Sequence, residues 1–105
     1  MAGARIRILQ QDIRMFCRRW KVSELALFGS VLRDDFQPDS DVDVLMSLEP
    51  DARVGLFDLV TMQRELASIL GREVDLVDRA AIERSQNYIR RKAILGNVEV
   101  IYAAR

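Results

Sequence analysis

Apolar residues recur at the spacing of amphipathic helices in two long segments of the chain. In the first segment they lie three or four residues apart, at Ile6, Leu9, Ile13, Phe16 and Trp20. This spacing predicts a helix over about residues 4–20 with one apolar face. The second segment runs from Leu56 to Leu70 and ends at Gly71, a residue typical of the position just after a helix. Each segment therefore predicts a helix with one buried face.

Short apolar runs between these segments predict strands at residues 25–28, 42–46, 73–77 and 98–102. One or two helical turns fit between Ser30 and Asp34, and the composition of residues 37–40 indicates a loop. A last helical stretch is predicted from its N-cap, Asp78, toward Leu95, with Asn87 as a candidate interruption. The resulting order is α-β-α-β-α-β-α-β, and we expect residues 1–105 to form a single domain.

The composition is that of an ordinary globular domain, and it excludes several kinds of chemistry. The 105 residues are 50% hydrophobic, enough for one core. There is no histidine and a single cysteine, Cys17, which excludes His-based catalysis, zinc sites rich in His or Cys, and internal disulfides. The zero net charge argues against direct nucleic-acid binding. No apolar stretch approaches the roughly 20 residues of a membrane span, so we expect a cytoplasmic protein.

A Gly-Ser pair follows the first predicted strand. Where a strand ends and a helical turn begins, free backbone N–H groups favour an anion such as phosphate. Gly29 allows a ligand to approach the backbone closely, and the Ser30 hydroxyl can donate to a phosphate oxygen. Taken alone, the pair is common and more often marks only a turn.

Three aspartates accompany the Gly-Ser pair. Asp41 and Asp43 are two residues apart at the start of the second predicted strand, and in extended backbone this spacing makes them project from one face. Asp75 lies in the third predicted strand and would join them if the two strands are neighbours. Carboxylates of this kind suit Mg²⁺ or Mn²⁺, and a two-metal site beside a phosphate-binding turn suits phosphoryl or nucleotidyl transfer. Singly, Asp-x-Asp is weak evidence and Asp75 more often protects a sheet edge, but the combination is more specific than its parts.

The string FGSVLR at residues 28–33, followed by PDSDVDVL at residues 38–45, resembles the minimal nucleotidyltransferases (MNT) of the DNA polymerase β superfamily. The resemblance covers nearly the whole chain. It implies an α+β nucleotidyltransferase fold, with a small mixed β-sheet of about four strands and helices packed mainly on one face. It also implies that Gly29 and Ser30 hold the triphosphate of ATP. Asp41, Asp43 and Asp75 are the implied catalytic residues and the ligands of two Mg²⁺ ions, and Asp75 would help to activate the acceptor hydroxyl.

Basic residues near these motifs have two interpretations each. Arg33 follows the Gly-Ser pair and is a candidate nucleotide-binding residue, but a surface ion pair with Asp34 or Asp35 carries equal weight. A second basic group is most often a solvated helix face, and otherwise a contact with nucleotide phosphates or an acidic partner. Its members are Arg84, Arg90, Arg91 and Lys92.

The resemblance finally implies a partner. Proteins similar to this one are typically paired with a HEPN-domain ribonuclease toxin, and the MNT protein is the antitoxin that transfers AMP from ATP to a tyrosine hydroxyl of the toxin. Two alternatives stay open: a catalytically vestigial antitoxin that acts by binding alone, and a small-molecule nucleotidyltransferase. The three acidic residues favour an enzyme. We expect no second, substrate-binding domain, which argues against the small-molecule alternative.

Overall fold

Helices and strands alternate along the chain in the predicted order. The computed structural model describes residues 8–32 and 40–104. The elements are α1 (Gln10–Trp20), β1 (Val22–Phe28), a 3-10 turn (Gly29–Leu32), β2 (Val42–Leu48), α2 (Leu56–Leu70), β3 (Val74–Asp78), α3 (Arg79–Glu83), α4 (Tyr88–Leu95) and β4 (Val98–Ala103). The last predicted helical stretch, from Asp78 toward Leu95, is thus divided into α3 and α4.

The described strands form a mixed sheet in the order β3-β2-β1-β4. β1 runs antiparallel to β2 and to β4, whereas β2 and β3 run parallel. Parallel neighbours need a long crossover connection, and α2 provides it between β2 and β3. The predicted α+β fold with a small mixed sheet is therefore confirmed.

The two longer helices pack against one face of this sheet. Ile13, Phe16 and Cys17 of α1 and Met62 and Leu66 of α2 are all buried there. Burial raises the pKa of the Cys17 thiol to about 12, so the side chain stays protonated and packs as a small apolar group. The inward-facing strand residues in the same cluster include Val42, Val44 and Met46. The prediction that helices pack mainly on one face is confirmed by α1 and α2.

A smaller apolar cluster covers part of the opposite face. Phe28 and Leu45 pack there with Ile82 of α3 and Ile94 of α4. Side chains alternate between the two faces along a strand. Asp43, two residues before Leu45, therefore projects from this second face.

Side-chain caps fix the starts of the two short helices. The Asp78 carboxylate accepts a hydrogen bond from the Ala80 N–H at 3.0 Å and caps α3. The Asn87 side-chain oxygen accepts one from the Arg90 N–H at 3.0 Å and caps α4. The predictions of Asp78 as an N-cap and of Asn87 as an interruption are both confirmed.

Some predicted boundaries differ from the structure or lie outside it. The prediction of helix at residues 8–9 is wrong, because Leu9 is extended, at φ −95° and ψ 105°, and α1 begins after it. The rest of the predicted early helix, residues 4–7, lies outside the described residues, as do residues 37–39 of the predicted loop. Within residues 8–32 and 40–104, no helix has the length and apolar character needed to cross a membrane.

Gly71 provides a test of the α2 terminus. Its φ is 69°, and a Cβ at this position would meet nothing within 4 Å. We expect Gly71→Ala to lower the free energy of unfolding by about 1 kcal/mol through backbone strain alone. Gly71→Asn should lower it less, because asparagine tolerates this backbone region better. Urea unfolding measures both values, and wild-type stability of Gly71→Ala would contradict the assigned strain.

Candidate nucleotide and metal site

Asp43 and Asp75 lie opposite each other on neighbouring strands. β2 and β3 pair in parallel with these two residues in register. Their side chains therefore project from the same face, on strands that are about 4.8 Å apart. Asp43 is partly buried and Asp75 is exposed. The condition under which Asp75 joins Asp43, that their strands are neighbours, is therefore met.

Asp41 lies immediately before β2, with an exposed side chain. The Val42 N–H donates to the Glu73 carbonyl at 2.9 Å, so the pairing of the two strands begins directly after Asp41. Among residues 8–32 and 40–104, no three acidic, cysteine or histidine side chains are close enough together to hold a metal ion. The structure brings Asp43 and Asp75 together, and a metal site shared by all three aspartates stays a prediction.

Gly29 lies directly against the Asp43 side chain. Phe28, the last residue of β1, pairs with Asp43, so the chain enters the next turn beside this carboxylate. The φ of Gly29 is 77°, in the left-handed region that favours glycine. A Cβ here would overlap the Asp43 oxygen Oδ2. The backbone angle and the close approach of the aspartate both favour glycine at this position.

The predicted phosphate contacts follow Gly29 in the chain. Ser30 lies in the 3-10 turn Gly29–Leu32, which is the short helical segment that the sequence predicts after the Gly-Ser pair. The structure describes the Ser30 backbone but not its side chain, and Arg33 lies outside the described residues. Nucleotide binding by Ser30 and Arg33 therefore stays a prediction.

The donors on this face suit a hard divalent cation. Carboxylate oxygens are the ligands that Mg²⁺ and Mn²⁺ prefer, and Asp43 and Asp75 present theirs in register. Neighbouring carboxylates repel each other, and a cation between them removes that repulsion. The absence of a side chain at Gly29 leaves the Asp43 carboxylate its space. The chemistry of these carboxylates therefore fits Mg²⁺, and the assignment of Asp43, Asp75 and Asp41 as its ligands stays a prediction.

Sequence reasoning missed two contacts around these strands. The Leu76 N–H donates to Gln63 Oε1 of α2 at 3.1 Å, one residue after Asp75. Arg72 Nη1 lies 3.5 Å from the Ser40 carbonyl, to which it donates at the approach to β2. The signal for Gln63 is its place among the apolar residues of α2, where a polar side chain needs a hydrogen-bond partner. No pattern in the sequence marks Arg72.

The basic group of α4 makes local contacts. Arg91 Nη1 donates to the Ser85 carbonyl at 3.0 Å. The charged ends of Arg91 and Lys92 also lie over the Tyr88 ring, 5.6 and 6.0 Å from its centre. Arg90 is exposed. These contacts fit the interpretation of a solvated helix face.

The mixed sheet, with the Gly-Ser turn beside paired aspartates, agrees with the nucleotidyltransferase fold that the sequence resembles. A family model described as nucleotidyltransferase domain matches residues 10–97, a span that contains the Gly-Ser turn and the three aspartates. The chain belongs to this nucleotidyltransferase family.

Relatives share most of this region. A Methanocaldococcus jannaschii protein assigned as a protein adenylyltransferase is 32% identical over 76 residues, which cover 71% of this chain and 74% of the relative. The protein adenylyltransferase MntA of Thermococcus cleftensis is 34% identical over 65 residues, or 62% of this chain and 64% of the relative. These matches agree with the family assignment.

Solved structures share the fold. A protein assigned as a minimal nucleotidyltransferase superposes with a TM-score of 0.63 at 26% identity, and the match covers 85% of each chain. A toxin–antitoxin crystal structure with AMP-PNP gives 0.68 at 21% identity, covering 93% of this chain and 76% of that chain. A complex of tri-AMPylated Shewanella oneidensis HEPN toxin with MNT antitoxin gives 0.60 at 22% identity, covering 90% and 70%. The last two show a common fold.

We expect Gly29→Ala to destabilise the protein more than Gly71→Ala does. Both glycines have positive φ, but only a Cβ at position 29 overlaps Asp43. The excess should be at least about 1 kcal/mol, as for overpacking elsewhere, and most of it should vanish in an Asp43→Ala background. Urea unfolding of the single and double variants measures the excess. The same excess in both backgrounds would contradict a steric role of the aspartate.

Proposed function

We propose that this chain is a Mg²⁺-dependent protein adenylyltransferase and the antitoxin of a HEPN ribonuclease toxin. In the cytoplasm it transfers AMP from ATP to a tyrosine hydroxyl of that toxin. The observation that carries the proposal is the parallel pairing of Asp43 with Asp75 beside the left-handed turn at Gly29. The names of the relatives from Methanocaldococcus jannaschii and Thermococcus cleftensis support protein adenylylation, and the AMPylated complex from Shewanella oneidensis supports a HEPN partner.

The metal side of the reaction is assigned to the aspartates. Asp41, Asp43 and Asp75 would hold two Mg²⁺ ions. When bound, the ions neutralise the triphosphate and stabilise the attacking and leaving oxygens. The opposition of Asp43 and Asp75 in the sheet supports this assignment, because it presents oxygen donors from two strands to one volume.

The phosphate side is assigned to the turn after β1. Free N–H groups at the start of a helical turn favour phosphate oxygens, and Gly29 lets those oxygens approach the backbone. The Ser30 hydroxyl adds a donor and Arg33 adds a positive charge. These contacts would hold the β- and γ-phosphates as the leaving group.

The transfer is a single displacement at phosphorus. The tyrosine oxygen attacks the α-phosphorus of ATP, an O–P bond forms, and the bond between the α-phosphorus and the bridging oxygen breaks. Pyrophosphate leaves with that electron pair, and the phenolic proton passes to the Asp75 carboxylate. Asp75 is exposed, so a hydroxyl carried by a second protein can reach it. The products are pyrophosphate and an AMP–tyrosine phosphodiester.

A second candidate function is inhibition of the toxin by binding alone. It is favoured by one observation: within the described ranges, no three potential ligands come close enough to hold a metal ion. If binding alone inhibits the toxin, formation of the complex between this chain and the toxin is sufficient, and neither ATP nor Mg²⁺ is needed. The two candidates differ in whether the partner gains the mass of AMP.

Asp43→Asn should abolish AMP transfer and leave the fold intact. An amide oxygen is a weaker Mg²⁺ ligand than a carboxylate, and loss of one of two neighbouring acids relieves their repulsion. We expect transfer to fall by about 100-fold or more, with an unchanged or raised melting temperature in the absence of metal. Asp12→Asn, in the first turn of α1, is the matched control and should keep wild-type transfer. Full activity of Asp43→Asn would favour inhibition by binding.

The HEPN partner should gain AMP only when ATP and Mg²⁺ are both present. The physical reason is that the tyrosine hydroxyl is a weak nucleophile until a base or a metal activates it. Mass spectrometry of the partner after incubation measures the addition, and replacing the acceptor tyrosine by phenylalanine should remove it. A silenced partner with no added mass would overturn the transfer mechanism.

A further inference from the structure

Among the described residues, the strand that contains Asp75 has a neighbouring strand on only one side. β3 is at the edge of the described sheet, and its ladder is to β2 alone. It has five residues, fewer than any other described strand. Alternate N–H groups of an edge strand point away from the sheet. Any bond to those outward groups therefore contributes to holding β3, and with it Asp75, in place.

Gln63 makes such a bond. Its side-chain oxygen Oε1 accepts from the Leu76 N–H at 3.1 Å, and the bond is partly buried. Leu76 directly follows Asp75, and Gln63 follows the buried Met62 in the middle of α2. Because burial excludes competing water, a hydrogen bond here is stronger than one at the surface. Helix α2, which connects β2 to β3, thus also holds the outer edge of β3.

We propose that Gln63 is a positioning residue that keeps Asp75 opposite Asp43 by holding β3 from its open side. The inference rests on the proposed function, in which Asp75 binds metal and accepts the proton. Gln63 acts through the backbone of β3 and lies on the α2 side of the sheet edge, away from the face of the aspartates. Its loss should therefore affect the metal and the chemical step more than the phosphate contacts at Gly29 and Ser30.

The size of the effect follows from geometry. Misplacement of a reacting group by about 1 Å costs up to about 100-fold in rate, so a loosened edge strand should lower kcat by about tenfold. The KM for ATP should change by less than about twofold, because the triphosphate contacts are on another element.

The experiment compares three variants of the full chain. Gln63→Met removes the acceptor at similar length, Gln63→Glu keeps an oxygen acceptor, and Gln11→Met makes the same change at an exposed position of α1. Three properties are measured at a temperature where all variants are folded. They are amide hydrogen exchange at Leu76, Mn²⁺ affinity with AMP-PNP by electron paramagnetic resonance, and the kinetics of AMP transfer to the HEPN partner.

In Gln63→Met we expect at least about tenfold faster amide exchange at Leu76, weaker Mn²⁺ binding and a kcat lowered by about tenfold. Gln63→Glu and Gln11→Met should behave like the wild type in all three measurements. Unchanged exchange in Gln63→Met would overturn the proposal, and so would faster exchange with wild-type Mn²⁺ affinity and kcat. Equal defects in Gln63→Glu and Gln63→Met would overturn the acceptor role. If the wild type transfers no AMP, the proposed function fails, and exchange and Mn²⁺ affinity decide the positioning role by themselves.

Discussion

The parallel pairing of β2 with β3 is the constraint on which the candidate site depends. It places Asp43 opposite Asp75 and directs both side chains to one face. A slip of one residue in this register would move Asp75 to the other face, because side chains alternate along a strand. Two contacts support this register: α2 packs on the sheet through Met62 and Leu66, and the Val42 N–H donates to the Glu73 carbonyl where the ladder begins.

One face of the sheet forms the main core, and the other contains the aspartates. One face is covered by α1 and α2 and contains the larger apolar cluster, which supplies most of the burial that stabilises the fold. On the other face, the described residues form a smaller apolar cluster in which Ile82 and Ile94 pack with Phe28 and Leu45. The 3-10 turn Gly29–Leu32 and the aspartates also meet on this second face. A charged pair is tolerated there because Asp75 remains in contact with water.

Glycine at position 29 connects the sheet to the turn that follows it. The chain leaves β1 with a positive φ and passes against the Asp43 carboxylate, and a residue without a Cβ does both without strain. The close approach ties the conformation of the turn to the position of the aspartate. Packing at Gly29 thus couples the turn that is proposed to bind phosphate to the aspartate that is proposed to bind metal.

The sequence by itself determined the order of the helices and strands, the glycine after α2 and the cap at Asp78, because these depend on periodicity and on local hydrogen bonds. It also indicated the Gly-Ser turn and the aspartates through their spacing. Only the tertiary structure decided that β3 pairs with β2, that the turn packs on Asp43, and that Gln63 binds the Leu76 N–H. These are contacts between residues distant in the chain, and their partners are set by packing and register, which no local pattern encodes.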